Sequence, residues 1–171
     1  MKKMMIILLP LLLLLISFPN SFAAKKDKVI AIYRWYHPED NVYRTVAKGE
    51  FRDRQLIKMG WKDKTLLFYA YKKPGQQRVG LNSWYNPANH AYISVCEDEY
   101  QDDQLERSGY KGKHHQFYAA TRAGGNTVCI YRWLMNRQHA WATIPESEDT
   151  DIYLKKGFHH KTYQYYGIAQ R

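Results

Sequence analysis

The chain has 171 residues and a formal net charge of +10, from 26 Lys and Arg against 16 Asp and Glu. Its basic residues are scattered evenly rather than gathered in a block, which speaks against a nucleic-acid partner. A basic surface is drawn to anionic partners such as acidic glycans, envelope polymers or acidic proteins, or serves solubility alone.

The first predicted element is a targeting segment. Lys2 and Lys3 precede an apolar run from Met4 to Phe18, and Ser21-Phe22-Ala23 places small residues where a signal peptidase reads, so cleavage is expected after Ala23. The run is shorter than the roughly 20 residues of a membrane span, so no stable span is expected after cleavage. Residues 24–171 then form a single secreted domain, periplasmic or extracellular, with 24 basic against 16 acidic residues and a formal +8.

Val29 to Tyr36 is β-branched and aromatic and reads as a strand. His37-Pro38-Glu39-Asp40-Asn41 is turn chemistry, and Val42 to Val46 returns as a second strand. From about Gly49 to Met59 the apolar period suits a short helix, stopped by Gly60, and Leu66 to Tyr71 is a third strand. The same line is written twice more. Trp35, Trp84 and Trp133 stand 49 residues apart, as do Tyr43, Tyr92 and Trp141, Thr45, Ser94 and Thr143, and Glu50, Glu99 and Glu148. Gly60, Gly109 and Gly157 are each followed by an aromatic residue. Repetition at this period signals one supersecondary unit per copy. The expected architecture is α+β: three strand–strand–helix–strand repeats, at about 29–73, 78–121 and 126–171, closed in a compact pseudo-threefold ring.

The repeated line is similar to a family of secreted modules of unknown function. Their repeats run Tyr-Arg-x-Tyr, a turn, His-x-Tyr-x-Thr, Glu, a helix, Gly-Trp and Phe-Tyr-Ala. The matching residues are Tyr33-Arg34-Trp35-Tyr36, His90-Ala91-Tyr92-Ile93-Ser94, His139-Ala140-Trp141-Ala142-Thr143, Gly60-Trp61, Phe68-Tyr69-Ala70 and Phe117-Tyr118-Ala119. The resemblance covers the whole mature chain and implies a repeat fold with a binding role, often appended to secreted enzymes. The chain departs from it at Asn41, where a histidine belongs, and at Lys64-Thr65, Lys113-His114 and Lys161-Thr162, where Glu-Gly is usual.

Twenty-six residues are aromatic, fifteen of them tyrosine. Tyrosine and tryptophan offer a flat apolar face with a polar edge, suited to sugar rings or protein hot spots. Candidate binding residues are therefore Trp35, Trp84 and Trp133, Tyr43, Tyr92 and Trp141, and the turn residues Asn41, His90 and His139. The competing reading makes the tryptophans the hydrophobic centre of each unit and gives the turn residues local backbone bonds. Thr45, Ser94 and Thr143 with Glu50, Glu99 and Glu148 look like helix capping. Cys96 and Cys129 would pair as a disulfide in an oxidising compartment, tying the second repeat to the third; the alternative is two buried thiols. No cofactor is expected. His114-His115 and His159-His160 lack the carboxylate or cysteine spacing of a zinc set, so no metal site is expected. With no nucleophile motif and no phosphate loop, no catalytic residues are assigned.

The expected function is a non-catalytic binding module for a glycan or anionic cell-envelope polymer, with weak contacts repeated three times. The alternatives are a small inhibitor or immunity protein that binds another secreted or envelope protein, and an enzyme whose site is not legible.

Overall fold

The β-branched and aromatic residues of Val29–His37 (β1) pair antiparallel with Val42–Ala47 (β2), placing Tyr36 opposite Tyr43. Asn41 closes the turn at φ 53°, a left-handed conformation that asparagine tolerates better than most residues. Asp53–Lys58 (α1) follows, and Lys62–Tyr71 (β3) runs back along the other edge of β1. This computed structural model describes residues 27–135 and 140–169. The expected signal segment, the tip of the third hairpin and His139 therefore lie outside the described residues.

The second unit comprises Arg78–Asn86 (β4), Ala91–Cys96 (β5), Asp102–Arg107 (α2) and Lys111–Ala120 (β6). The third comprises Thr127–Met135 (β7), Ala140–Pro145 (β8), Thr150–Lys155 (α3) and Phe158–Ile168 (β9). In each unit the first strand lies between the other two. The third strands then pair with one another: Tyr71 with Tyr118, Ala120 with Tyr166, and Tyr69 with Ile168. All nine strands thus belong to one antiparallel sheet, whose last strands meet pairwise.

This overturns the α+β expectation. The fold is mostly β, and each helix is only six residues long. Two misreadings account for the difference. The stretch from Gly49 begins as a turn, with Gly49 at φ 95° and a bridge from Lys48 to Phe51, so helix starts only at Asp53. The polar run Lys62-Asp63-Lys64-Thr65 resembles a loop but is already strand. It sits on an exposed sheet edge and pairs with β1 across register shifts.

Sheet closure gathers the interior from equivalent positions. Ile32, Leu81 and Ile130 are fully buried, as are Phe68 and Phe117, with Tyr165 beside them. The three rings form a near-equilateral triangle, with centroids 5.9 Å from Phe68 to Phe117, 5.9 Å from Phe68 to Tyr165, and 6.1 Å from Phe117 to Tyr165. Edge-to-face packing suits the ring quadrupoles. Gly167 passes so close that a Cβ there would stand 2.6 Å from the Phe68 ring.

The tryptophans are also interior. Trp35 and Trp84 are 3% exposed and Trp133 is 4% exposed, so their faces are not offered to a ligand. Their assignment as binding residues is corrected accordingly: each packs beneath its own hairpin and helix, Trp35 with Leu56, Trp84 with Leu105, and Trp133 with Tyr153. Lys64, Lys113 and Lys161 lie 5.6, 5.8 and 5.7 Å from the respective ring centroids. Lys64 and Lys113 are paired at 2.7 Å with Asp53 and Asp102, the first residues of their helices. No described helix is long and apolar enough to cross a membrane.

Candidate functional site at the seams between units

The chemistry concentrates where units meet. Arg34 of the first unit donates to Glu148 of the third at 3.2 Å, and Tyr153 also bonds that carboxylate. Arg132 of the third unit donates to Glu99 of the second, through Nη1 at 3.0 Å. Each guanidinium lies among aromatic rings: Arg34 over Tyr43 and Tyr153 at 5.6 and 5.3 Å, Arg132 over Trp141 and Tyr100 at 5.1 and 5.7 Å. Charge-assisted bonds shielded from water in this way are the strong ones.

The remaining seam, between first and second units, departs from the pattern. Ser83 stands where the other units carry arginine. Arg44, from the neighbouring strand, supplies the guanidinium instead, stacked between Phe51 at 4.3 Å and Tyr92 at 4.4 Å and 3.4 Å from Glu50. His114 Nε2 meets Glu50 at 2.7 Å, and Gln116 donates to Glu50 at 3.0 Å and to the Thr45 carbonyl at 2.8 Å.

Helix capping was therefore the wrong reading of the three glutamates. They bind across seams, and Glu50 also accepts the Ala47 amide at 3.0 Å. Gln55 and Gln104 perform the capping, accepting the amides of Arg52 and Gln101 at 3.0 and 3.1 Å. Thr45 bonds Thr143 across a seam at 2.8 Å, and Ser94 donates to Gln116 at 2.8 Å.

Burial alone would raise the Glu50 pKa, but His114, the Ala47 amide, Gln116 and Arg44 together hold it below the ordinary carboxylate value. The Glu50 hydrogen bond raises the His114 pKa against an opposing effect of burial. A raised histidine stabilises fully below its unfolded pKa, near 6.5, and the effect is lost as pH rises through the folded value. A lowered carboxylate stabilises above its unfolded value of 4.5 and loses this as pH falls. The seam is thus strongest between these two values. We expect the urea midpoint to fall as pH rises from about 6 to 9 in the parent, and to fall less in His114→Gln. Equal slopes in the two proteins would contradict the role of this pair.

The other candidate residues fall at the seams as well. Tyr43 packs on Phe158 at 5.7 Å, Tyr92 on Trp61 at 5.6 Å, and Trp141 donates its indole N–H to the Tyr110 hydroxyl at 2.8 Å. The aromatic residue after each Gly60-type stop therefore wedges against the next unit's second strand. Asn41 accepts from Tyr36 at 3.0 Å and reaches Met135 of the third unit, while His90 meets Asp40 of the first unit at 2.8 Å. These turn residues bind across seams rather than only within their own turns. Cys96 and Cys129 are free thiols, which corrects the expected disulfide. Buried Cys96 contacts the Gln164 carbonyl, and burial pushes its thiol up to about 12, while Cys129 lies beside Glu146, Tyr131 and Tyr166.

Two seams open as clefts. The third-to-first cleft encloses about 360 Å³ between Arg34, Tyr36, Asn41, Tyr43, Asp63, Thr65, Met135 and Lys156. The Tyr36 and Tyr43 rings are 4.9 Å apart, and Lys156 donates to the Tyr43 hydroxyl at 3.3 Å. Asn41 and Tyr43 are the candidate residues brought together here. Tyr36 and Lys156 were missed; the sequence signal for Tyr36 is its place at the end of the Tyr-Arg-x-Tyr line.

The fold is thus one mostly β antiparallel sheet whose conspicuous chemistry lies between its three units. Residues 32–168 match the family described as Domain of unknown function (DUF5648), and the chain belongs to that family. No curated protein and no solved structure matches the chain.

Proposed function

We propose that the protein is a secreted, non-catalytic binding module for a glycan, and that the third-to-first cleft takes an acidic saccharide of the cell envelope. The observation that carries this reading is the cleft itself. The tilted Tyr36–Tyr43 pair forms an apolar wall, the Thr65 hydroxyl offers a hydrogen bond, and Lys156 stands at the rim for a carboxylate or phosphate. The formal +8 of residues 24–171 favours the same ligand class. Glu99 and Glu148 hold arginines across the seams, and Glu50 holds His114, so these repeated carboxylates serve the fold rather than the cleft.

The test is an array of immobilised acidic and neutral oligosaccharides, read for the parent, Tyr36→Ala and Lys156→Gln. Retention of acidic saccharides is expected to drop about tenfold or more in both variants, the scale of a contact worth about 1.4 kcal/mol, with circular dichroism unchanged. Undiminished retention in folded variants contradicts the assignment.

A further inference from the structure

The seam between the second and third units opens a second cleft, of about 430 Å³, whose lining includes Asn89, Tyr100, Tyr110 and Trp141. Among the described residues, none that lines it is charged. We propose that this cleft is a separate site for a neutral saccharide. The inference rests on the glycan-binding reading above but concerns a different seam and a different ligand class.

Three features carry it. First, among the described residues the lining carries no charge, and Arg132 behind it is bound by Glu99 and covered by Tyr100 and Trp141. A ligand with ionised groups would find no opposite charge in the lining and would lose hydration on entering, which is costly. Second, Tyr100 is 39% exposed and Trp141 half-buried, so ring surface is available to the C–H face of a pyranose, while Arg132 holds the Tyr100 hydroxyl in place. Third, polar groups sit among the apolar walls of Ile93, Leu105 and Leu134. The Tyr110 hydroxyl accepts from Trp141, so its own proton is the donor it can offer a ligand. Asn89 uses its carbonyl oxygen on the Ala91 amide, so its NH₂ group is the side it can offer. An apolar pocket of this size with a few fixed polar groups is the usual form of a small-ligand site.

The cleft also differs from its counterparts for reasons visible in the sequence. Tyr100 aligns with Phe51 and Asp149, so only this seam has a hydroxylated ring at that position. At the first-to-second seam, Arg44 fills the space between Phe51 and Tyr92. The domain therefore carries two unlike sites rather than three equal ones.

The same array provides the test, with Tyr100→Ala and the conservative Tyr110→Phe. Retention of neutral oligosaccharides is expected to fall about tenfold in Tyr100→Ala and measurably in Tyr110→Phe, without loss of acidic ones. Added salt is expected to weaken only the acidic arm. Neutral saccharides held equally by parent and both variants, or lost only in Tyr36→Ala, would overturn the second site. Retention of acidic saccharides alone would overturn it and leave the first cleft standing. Retention of no saccharide would overturn both.

Discussion

Arg132→Ala is expected to destabilise the protein by about 3–5 kcal/mol, the cost of leaving one member of a buried ion pair without its partner. The side chains of Arg132 and Glu99 are 5% and 22% exposed, so little water is available to rescue the orphaned carboxylate. The loss also removes a plate from the stack with Tyr100 and Trp141. Denaturant unfolding is the measurement: the midpoint should fall with an unchanged slope. Arg132→Met should do less damage than Arg132→Ala, since methionine refills part of the volume. A midpoint shift of Arg132→Ala within about 0.5 kcal/mol, the range of ordinary surface changes, would mean that the pair is solvated and the seam is held otherwise.

Phe68→Ala carries the second large effect, about 3–5 kcal/mol. The ring is fully buried and meets Phe117 and Tyr165, one from each other unit. Neighbouring strands cannot collapse into the void without breaking the pairing of the third strands, so the cavity term persists. Tyr163→Ala is the control: Tyr163 is 45% exposed on the same strand as Tyr165, and its loss is expected to cost far less. Comparable losses at the two positions would show that the ring triangle is not the interior of the protein.

Much of this is legible in the sequence, because each unit repeats what local chemistry dictates. The hairpins follow from β-branched and aromatic runs flanking turn residues, and the interior triplet Ile32, Leu81 and Ile130 stands at one phase of the first strand. Helix and third strand were less legible. Glycine and charged residues after β2 imitate a helix start, and Lys62–Thr65 imitates a loop because its strand lies on an exposed edge. The seams were scarcely legible at all. Arg34 and Glu148 are 114 positions apart, and nothing local distinguishes a glutamate that reaches across units from one that caps its own helix.

Substitution between repeats is the signal that could have found the seams. Ser83 breaks the Arg34 and Arg132 pattern, and the same unit carries His114 where the others have Thr65 and Thr162. The structure shows these two departures side by side, since Ser83 and His114 are register partners. Arg44, aligned with Ile93 and Ala142, completes the exchange by bringing a guanidinium from the adjoining unit. One seam has thus traded an arginine for a histidine and a relocated arginine, which is why it is expected to respond to pH near neutrality.

The most direct measurement is urea unfolding of a chain ending at Arg122, which lacks the third unit. If three units share one interior, this chain has lost Ile130, Tyr165 and the carboxylate partner of Arg34, and no cooperative transition is predicted. A cooperative transition near the parent midpoint would show that the first two units fold without the third, and would contradict the account.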